Sequence, residues 1–176
     1  MTVEELQSWL EDHIDQIFSF MDYEPTIESD EDLADTLRYW FDREDWNDGQ
    51  KFVHLGIDGM GSQIAAWLRP APQSSPVVYF GSEGGRGVLV RSTKDWAQML
   101  AYAPYIDEYP GDDEPACLVE REDDDDLDDE AQEALADYRA AVTAKFGGLS
   151  DFSTLTSGLE ELNDQFTTWV ESRLGA

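Results

Sequence analysis

Apolar side chains recur at every second position within residues 51–103. Residues 52–57 and 64–68 both alternate in this way, and a period of two is typical of a sheet strand. Between them lies Asp58-Gly59, a dipeptide that favours a tight reversal of the chain. Short apolar runs at residues 77–80 and 88–90 follow, and such runs are typical of buried strands. The pattern therefore predicts four consecutive strands.

Apolar residues recur at helical spacing on both sides of this segment. Thr2 and Glu5 form a predicted capping box for a first amphipathic helix that ends before Pro25. Ser92 and Asp95 resemble a second capping box, which opens the helix after the last strand.

These elements predict the fold class α+β, with a small, mostly antiparallel sheet of four to six strands packed against helices from both chain ends. The chain is interpreted as a single domain over residues 1–176. Its sheet scaffold spans residues 51–103, its N-terminal helices lie within 2–44 and its C-terminal helices within 128–174. A further short strand is predicted at residues 116–120.

Charge is the extreme feature of the composition. Forty Asp and Glu against eleven Lys and Arg give a formal net charge of −29, while 41% of the residues are apolar. An apolar content this high argues against disorder and for a folded domain with an acidic surface. Such a surface repels nucleic-acid phosphates and anionic lipids and attracts basic proteins. The sequence therefore predicts a basic protein partner, with neither nucleic acid nor membrane bound.

Cysteine usage and hydropathy indicate a cytoplasmic location. The single cysteine, Cys117, excludes an intramolecular disulfide. No apolar run approaches the roughly 20 residues of a membrane span, and the acidic N-terminal segment is unlike a secretory signal.

Motifs that carry chemistry are missing from the sequence. The glycines of residues 56–61 and 81–87 do not match the spacing of a phosphate-binding loop and are interpreted as hairpin turns. His13, His54 and Cys117 are too dispersed for a metal-ligand motif, and no calcium-loop or nucleophile-elbow spacing occurs. We therefore predict no catalytic residue, no cofactor and no metal.

A group of tyrosines and two clusters of acidic residues suit contact with a basic protein. Tyrosine is a favoured anchor in protein interfaces, and carboxylates steer a basic partner towards its site. Packing of the tyrosines and simple solvation of the charge run are the alternative interpretations. If both features share one face, the partner-binding residues are Tyr102, Tyr105, Tyr109, Asp112, Asp113, Glu114, Asp123, Asp124, Asp125 and Asp126.

The order of elements also resembles one known family. A strand with a Gly/Asp-rich turn, a second strand, a Pro-containing loop and the strand PVVYF come in sequence. The turn GSEG, a short strand and a helix opening STKDWAQML complete the series within residues 52–103. This series resembles the SMI1/KNR4 (SUKH) superfamily. The segment before the first strand lacks the family's usual pattern, so the resemblance names no particular partner.

The resemblance implies a bacterial immunity protein that binds and neutralises a toxin, often a nuclease. The same family implies an alternative, a regulatory or scaffold module without a toxin partner. A third hypothesis is a hydrolase with an unrecognised carboxylate site, although no spacing among the forty carboxylates supports it.

Overall fold

The computed structural model describes residues 1–25, 30–41, 51–69, 74–111, 114–124 and 126–174. The α-helices are α1 (Val3–Asp12), α2 (Ile14–Phe20), α3 (Asp30–Phe41), α4 (Thr93–Met99), α5 (Asp129–Phe146), α6 (Phe152–Thr156) and α7 (Glu160–Leu174), with a 3₁₀ turn at Leu100–Tyr102. The strands are β1 (Tyr23–Glu24), β2 (Phe52–Asp58), β3 (Gln63–Trp67), β4 (Val77–Phe80), β5 (Arg86–Val90), β6 (Tyr105–Asp107) and β7 (Cys117–Val119).

Strands β1 to β5 form one antiparallel sheet in chain order, and β6 pairs with β7 in a separate antiparallel hairpin. The fold class is therefore α+β, as the sequence predicted. All four predicted strands are present as β2 to β5. The predicted strand at residues 116–120 is β7, although it lies in the hairpin and not in the main sheet.

The reversal between β2 and β3 begins at the predicted position. The carbonyl of Asp58 accepts a hydrogen bond from the Gly61 amide at 2.9 Å, and its Oδ1 accepts from the amides of Met60 and Ser62 at 3.0 and 2.8 Å. The left-handed backbone conformation falls on Gly61, with φ of +80°, and not on Gly59. The Asp side chain thus organises the turn, and the later glycine supplies the unusual φ.

The main sheet is buried on both faces. On one face, Ile64 and Ala66 of β3 belong to the larger core, which α1, α2, α4 and α5 cover. On the other face, Ala65 and Trp67 belong to a second core that includes side chains of α3 and α7. Because successive side chains point to opposite faces, a strand covered on both sides is apolar throughout.

The second core is rich in aromatic rings. The Phe52 and Phe80 rings lie edge to face at 5.2 Å, and Phe166 of α7 contacts Phe80 and Trp67 at 5.5 and 5.4 Å. These rings fix α7 against the sheet next to the edge strand β5. They thereby form one wall of the cleft described below.

The predicted first helix is two helices. The chain breaks at His13, whose Nδ1 lies 2.8 Å from the Trp9 carbonyl oxygen. The capping box of Thr2 and Glu5 is confirmed, since the two residues exchange both hydrogen bonds. At α4 the N-cap is confirmed, because the Ser92 hydroxyl accepts from the Asp95 amide, but the Asp95 carboxylate lies 3.9 Å from Arg91 Nε. Among the residues described, no helix has the length and apolar character needed to cross a membrane.

Candidate functional site

Nine of the ten lysines and arginines among the described residues lie against rings and carboxylates of the chain itself. The Arg139 guanidinium donates two hydrogen bonds to the Asp124 carboxylate, at 2.6 and 3.2 Å. The Arg121 guanidinium lies 4.4 Å from the centre of the Tyr105 ring. Further contacts of the same two kinds are Lys51 and Arg173 with Trp169, Arg69 with Trp67, Lys94 with Phe146, Lys145 with Trp9, Arg38 with Asp35, and Arg91 with Asp95.

Carboxylates outnumber lysines and arginines forty to eleven, so the net field of the protein is negative. A concave part of the surface where carboxylates converge focuses that field further.

A cleft of about 1190 Å³ lies beside β5. One wall is the turn between β4 and β5, with β5 itself; a second is the loop that joins β6 to β7; the third is α7. The charged side chains that line the cleft are Glu108 and Glu114 of the loop, Glu160, Asp164 and Glu171 of α7, and Arg86 of β5. Among the described residues, five carboxylates therefore line this cleft with one guanidinium.

Close contact between the hairpin loop and the glycine-rich turn builds the first two walls. Glu108 Oε1 accepts from the Gly85 amide at 2.8 Å, and the Tyr109 hydroxyl donates to the Glu83 carbonyl at 2.6 Å. A Cβ on Gly87 would lie 2.3 Å from the Ala116 carbonyl oxygen. Glycine is required there because another backbone passes so close.

Helix α7 is tied to the edge of the sheet. Asn163 Oδ1 accepts from the Val88 amide at 2.7 Å, which satisfies an outward-facing donor of β5. The Ala116 amide donates to the Arg86 carbonyl at 3.0 Å. The β6–β7 hairpin therefore covers the same edge of β5, two residues before Val88. Satisfying edge groups in this way prevents uncontrolled strand pairing, and it fixes the distance between α7 and the hairpin.

Cys117 lines the cleft as well. Burial raises the pKa of its thiol, and the carboxylates of Asp107 and Glu114 raise it further. The thiol thus lies where burial, and then nearby negative charge, disfavour the thiolate.

The three predicted tyrosines have different environments. Tyr102 is half-buried: its hydroxyl donates to the Ser150 carbonyl at 2.7 Å, and its ring lies edge to face with Phe152 at 5.5 Å. Burial raises the pKa of the Tyr102 hydroxyl. The Tyr102 side chain therefore packs against other parts of the fold.

Tyr105 and Tyr109 lie at opposite ends of the hairpin. Tyr105 pairs with Val119 across the strands, and both are exposed, by 49% and 42%, at the end near α5. Tyr109 is 55% exposed and lines the cleft at the other end. The three-residue strands separate the two ends by about 10 Å, and Tyr109, unlike Tyr105, lines the cleft.

The predicted acidic residues also lie in different environments. Glu114 lines the cleft. Asp124 is half-buried and bound to Arg139, whereas Asp123 and Asp126 are exposed. Three further predicted residues, Asp112, Asp113 and Asp125, lie outside the described residues.

Of the predicted residues, the structure thus brings Tyr109 and Glu114 together in the cleft. Sequence reasoning missed Glu108 and the carboxylates of α7. A signal for the latter exists, because Glu160, Asp164 and Glu171 recur at positions i, i+4 and i+11 and so share one helix face. That signal does not say which other element the face opposes.

Within the described part of the chain, no three His, Cys, Asp or Glu side chains converge closely enough to hold a metal ion. The cleft carboxylates are spread along its walls instead. A spread of this kind suits several positive charges along an extended ligand better than one small cation.

Comparison with known proteins yields no relative: no family model matches the chain, and neither the curated proteins nor the solved structures give a significant match.

Proposed function

We propose that this chain is a non-enzymatic binding protein of the immunity type, which binds a basic bacterial toxin and neutralises it, with a nuclease as the class of toxin. One observation carries the proposal: of the residues that the structure describes, five carboxylates on two elements and one guanidinium, that of Arg86, line the cleft. In a protein with net charge −29, a concave surface lined by carboxylates favours a concentrated negative potential.

The chemistry of a nuclease supports this choice of partner. A protein that grips nucleic acid does so with Lys and Arg against phosphates, and so presents a basic surface. An acidic protein occupies the same surface, and the opposite fields of the two proteins speed their encounter. Occupation of the basic surface excludes the nucleic acid, so inhibition requires no chemistry from the inhibitor.

The resemblance to the SUKH superfamily supports the proposal independently of charge. The residues that carry it, 52–103, form the consecutive strands β2 to β5 and helix α4. The alternative of a regulatory or scaffold module predicts binding to a partner whose activity is unchanged.

Affinity capture from the native host, followed by titration, tests the proposal. The folded chain is immobilised as the bait. The control bait is the same chain unfolded in urea, which carries the same net charge. We expect a basic protein retained by the folded bait alone, with nuclease activity that disappears at one equivalent of added chain.

The association rate with this protein should fall steeply between 20 and 500 mM NaCl, because salt screens the steering field. Full activity of the captured protein at saturation would favour the regulatory or scaffold module. Equal retention on both baits would reject specific recognition.

A further inference from the structure

The cleft has the length of a short extended peptide. Its α7 wall carries carboxylates from Glu160 to Glu171. At about 1.5 Å per residue, these eleven steps along the helix span about 16 Å. An extended chain rises about 3.3 Å per residue, so about five residues of a bound segment lie along this wall.

The cleft is lined by apolar side chains as well as carboxylates. Val88 and Ala116 are buried and Leu159 is half-buried, and all three line the cleft between its acidic walls. Lysine and arginine fit such a lining, because their aliphatic stems cover apolar surface while their charged ends reach outward to carboxylates.

The spacing of the basic residues follows from strand geometry. Successive side chains of an extended chain point to opposite sides, so only alternate residues point into a cleft. Three alternate residues span about 13 Å, which fits within the α7 wall. Carboxylates from the loop, Glu108 and Glu114, face the same space from the other side.

We propose that the cleft binds an extended segment of the basic partner in which Lys or Arg recurs at every second position. This inference rests on the proposed function, since it takes the partner to be a basic protein, and it adds where that protein binds and in what form. Complementarity between five carboxylates and three cations selects this occupant over a neutral or acidic chain.

Two synthetic peptides of identical composition test the spacing. Both are seven residues long with blocked ends, and both contain three lysines and two serines between terminal glycines. One alternates lysine with serine, and the other has three consecutive lysines. By isothermal titration in 20 mM NaCl, we expect the full chain to bind the alternating peptide about fivefold more tightly.

A variant with a charge-neutralised cleft tests whether the peptide binds there. The variant Glu160→Gln, Asp164→Asn, Glu171→Gln removes three carboxylates from the cleft. Its control removes three exposed carboxylates from α1 and α5 by Glu11→Gln, Glu133→Gln and Asp137→Asn. Both variants have the same net charge. We expect about a tenfold loss of affinity for the alternating peptide in the cleft variant, and less than a twofold loss in the control.

A steric variant separates occupancy of the cleft from attraction by its charge. Thr168 is exposed and lines the cleft, so Thr168→Trp fills part of it without changing the net charge. Its control is Thr143→Trp at an exposed position of α5. About a tenfold loss for Thr168→Trp and none for Thr143→Trp is expected. Circular dichroism confirms that all four variants are folded.

Equal affinities for the two peptides, or equal losses in the cleft variants and their controls, would overturn the inference. Inhibition assays with the captured partner separate this result from the wider proposal. If the cleft variants inhibit the partner as well as the unaltered chain does, the cleft is not the site and the immunity function stands. If the unaltered chain does not inhibit its partner, the immunity function fails, whatever the peptides show.

Discussion

Two acidic regions of this protein differ in what their carboxylates do. The run at residues 123–126 has the highest density of charge in the sequence, and it is tied into the fold. Asp124 binds Arg139, and its carbonyl accepts hydrogen bonds from the Leu127 amide at 3.0 Å and from Gln132 Nε2 at 3.1 Å. Asp128, two residues after the run, caps α5. The Asp124 carboxylate therefore serves local structure, while those of Asp123 and Asp126 are exposed.

The cleft collects its carboxylates from two elements that are distant in the chain, the hairpin loop and α7. Glu108 accepts a hydrogen bond from Gly85, while α7 presents exposed carboxylates to the open space. The comparison teaches that charge density along a sequence does not locate the concave surface on which carboxylates converge.

Removal of the cation that holds the acidic run should have the largest effect on stability. Arg139→Ala breaks the two hydrogen bonds to Asp124 and one from its Nε to the Ala101 carbonyl at 2.8 Å. Both side chains are partly exposed, so solvent screening limits the loss to about 1–2 kcal/mol of unfolding free energy. Urea denaturation measures it.

The matched control is Lys94→Ala, which removes an exposed cation 5.6 Å from the Phe146 ring. Its unfolding free energy should change by less than about 0.5 kcal/mol. Equal losses for the two variants would show that the acidic run is not held by Arg139.

Neighbouring aspartates of the first region should differ in their effect. The Asp128 side chain accepts a hydrogen bond from the Ala131 amide at 2.9 Å at the start of α5. Asp128→Ala should therefore cost about 1 kcal/mol of unfolding free energy. Asp126→Ala, at an exposed position two residues earlier, should stay within about 0.5 kcal/mol. A similar cost at both positions would mean that the capping bond contributes nothing specific.

Neutralising a carboxylate of the cleft should raise the unfolding free energy, whereas the substitutions around the acidic run lower it. Glu160 and Asp164 are one turn apart on α7, and like charges at this spacing destabilise a helix by a few tenths of a kcal/mol. Asp164→Asn should raise the unfolding free energy by about 0.3 kcal/mol in 20 mM NaCl, and 0.5 M NaCl should abolish the gain. Asp124→Asn, measured in parallel, should lower it. A loss of stability for Asp164→Asn would show that its carboxylate has a structural role.

The scaffold was predictable because its signals are local. Strict alternation in residues 52–57, the Asp-Gly turn and the Ser92 cap each depend on residues close in sequence, and β2 to β5 and α4 follow from them. The break at His13 was missed because the apolar spacing continues across it. Phe18 belongs to that spacing and is nevertheless 64% exposed, so periodicity alone did not show which residues the core accepts.

The site was predictable only in part, because it depends on contacts between distant segments. Tyr109 and Glu114 were identified from composition, but nothing in their neighbourhood shows that the loop docks on the glycine-rich turn. That docking brings the loop opposite α7. The tie between Asn163 and Val88 then sets the width of the cleft, and a side-chain contact across the whole domain has no local signature.

The smallest expected effect measures the potential in the cleft directly through Cys117. Because the thiolate is an anion, burial and the nearby carboxylates of Asp107 and Glu114 raise the pKa of the thiol. Alkylation at pH 8 should therefore be slow. Glu114→Gln removes one of these charges, lowers that pKa and should speed alkylation by iodoacetamide by less than about twofold. Asp126→Asn removes the same charge from the acidic run and should leave the rate unchanged. In 0.5 M NaCl the effect of Glu114→Gln should shrink, since salt screens exposed carboxylates.

Mass spectrometry of timed samples between pH 7.5 and 10.5 gives the alkylation rates and the pH at which half of the thiol is ionised. An equal acceleration by Asp126→Asn would mean that the thiol senses the net charge of the whole protein, and that the cleft does not concentrate the field.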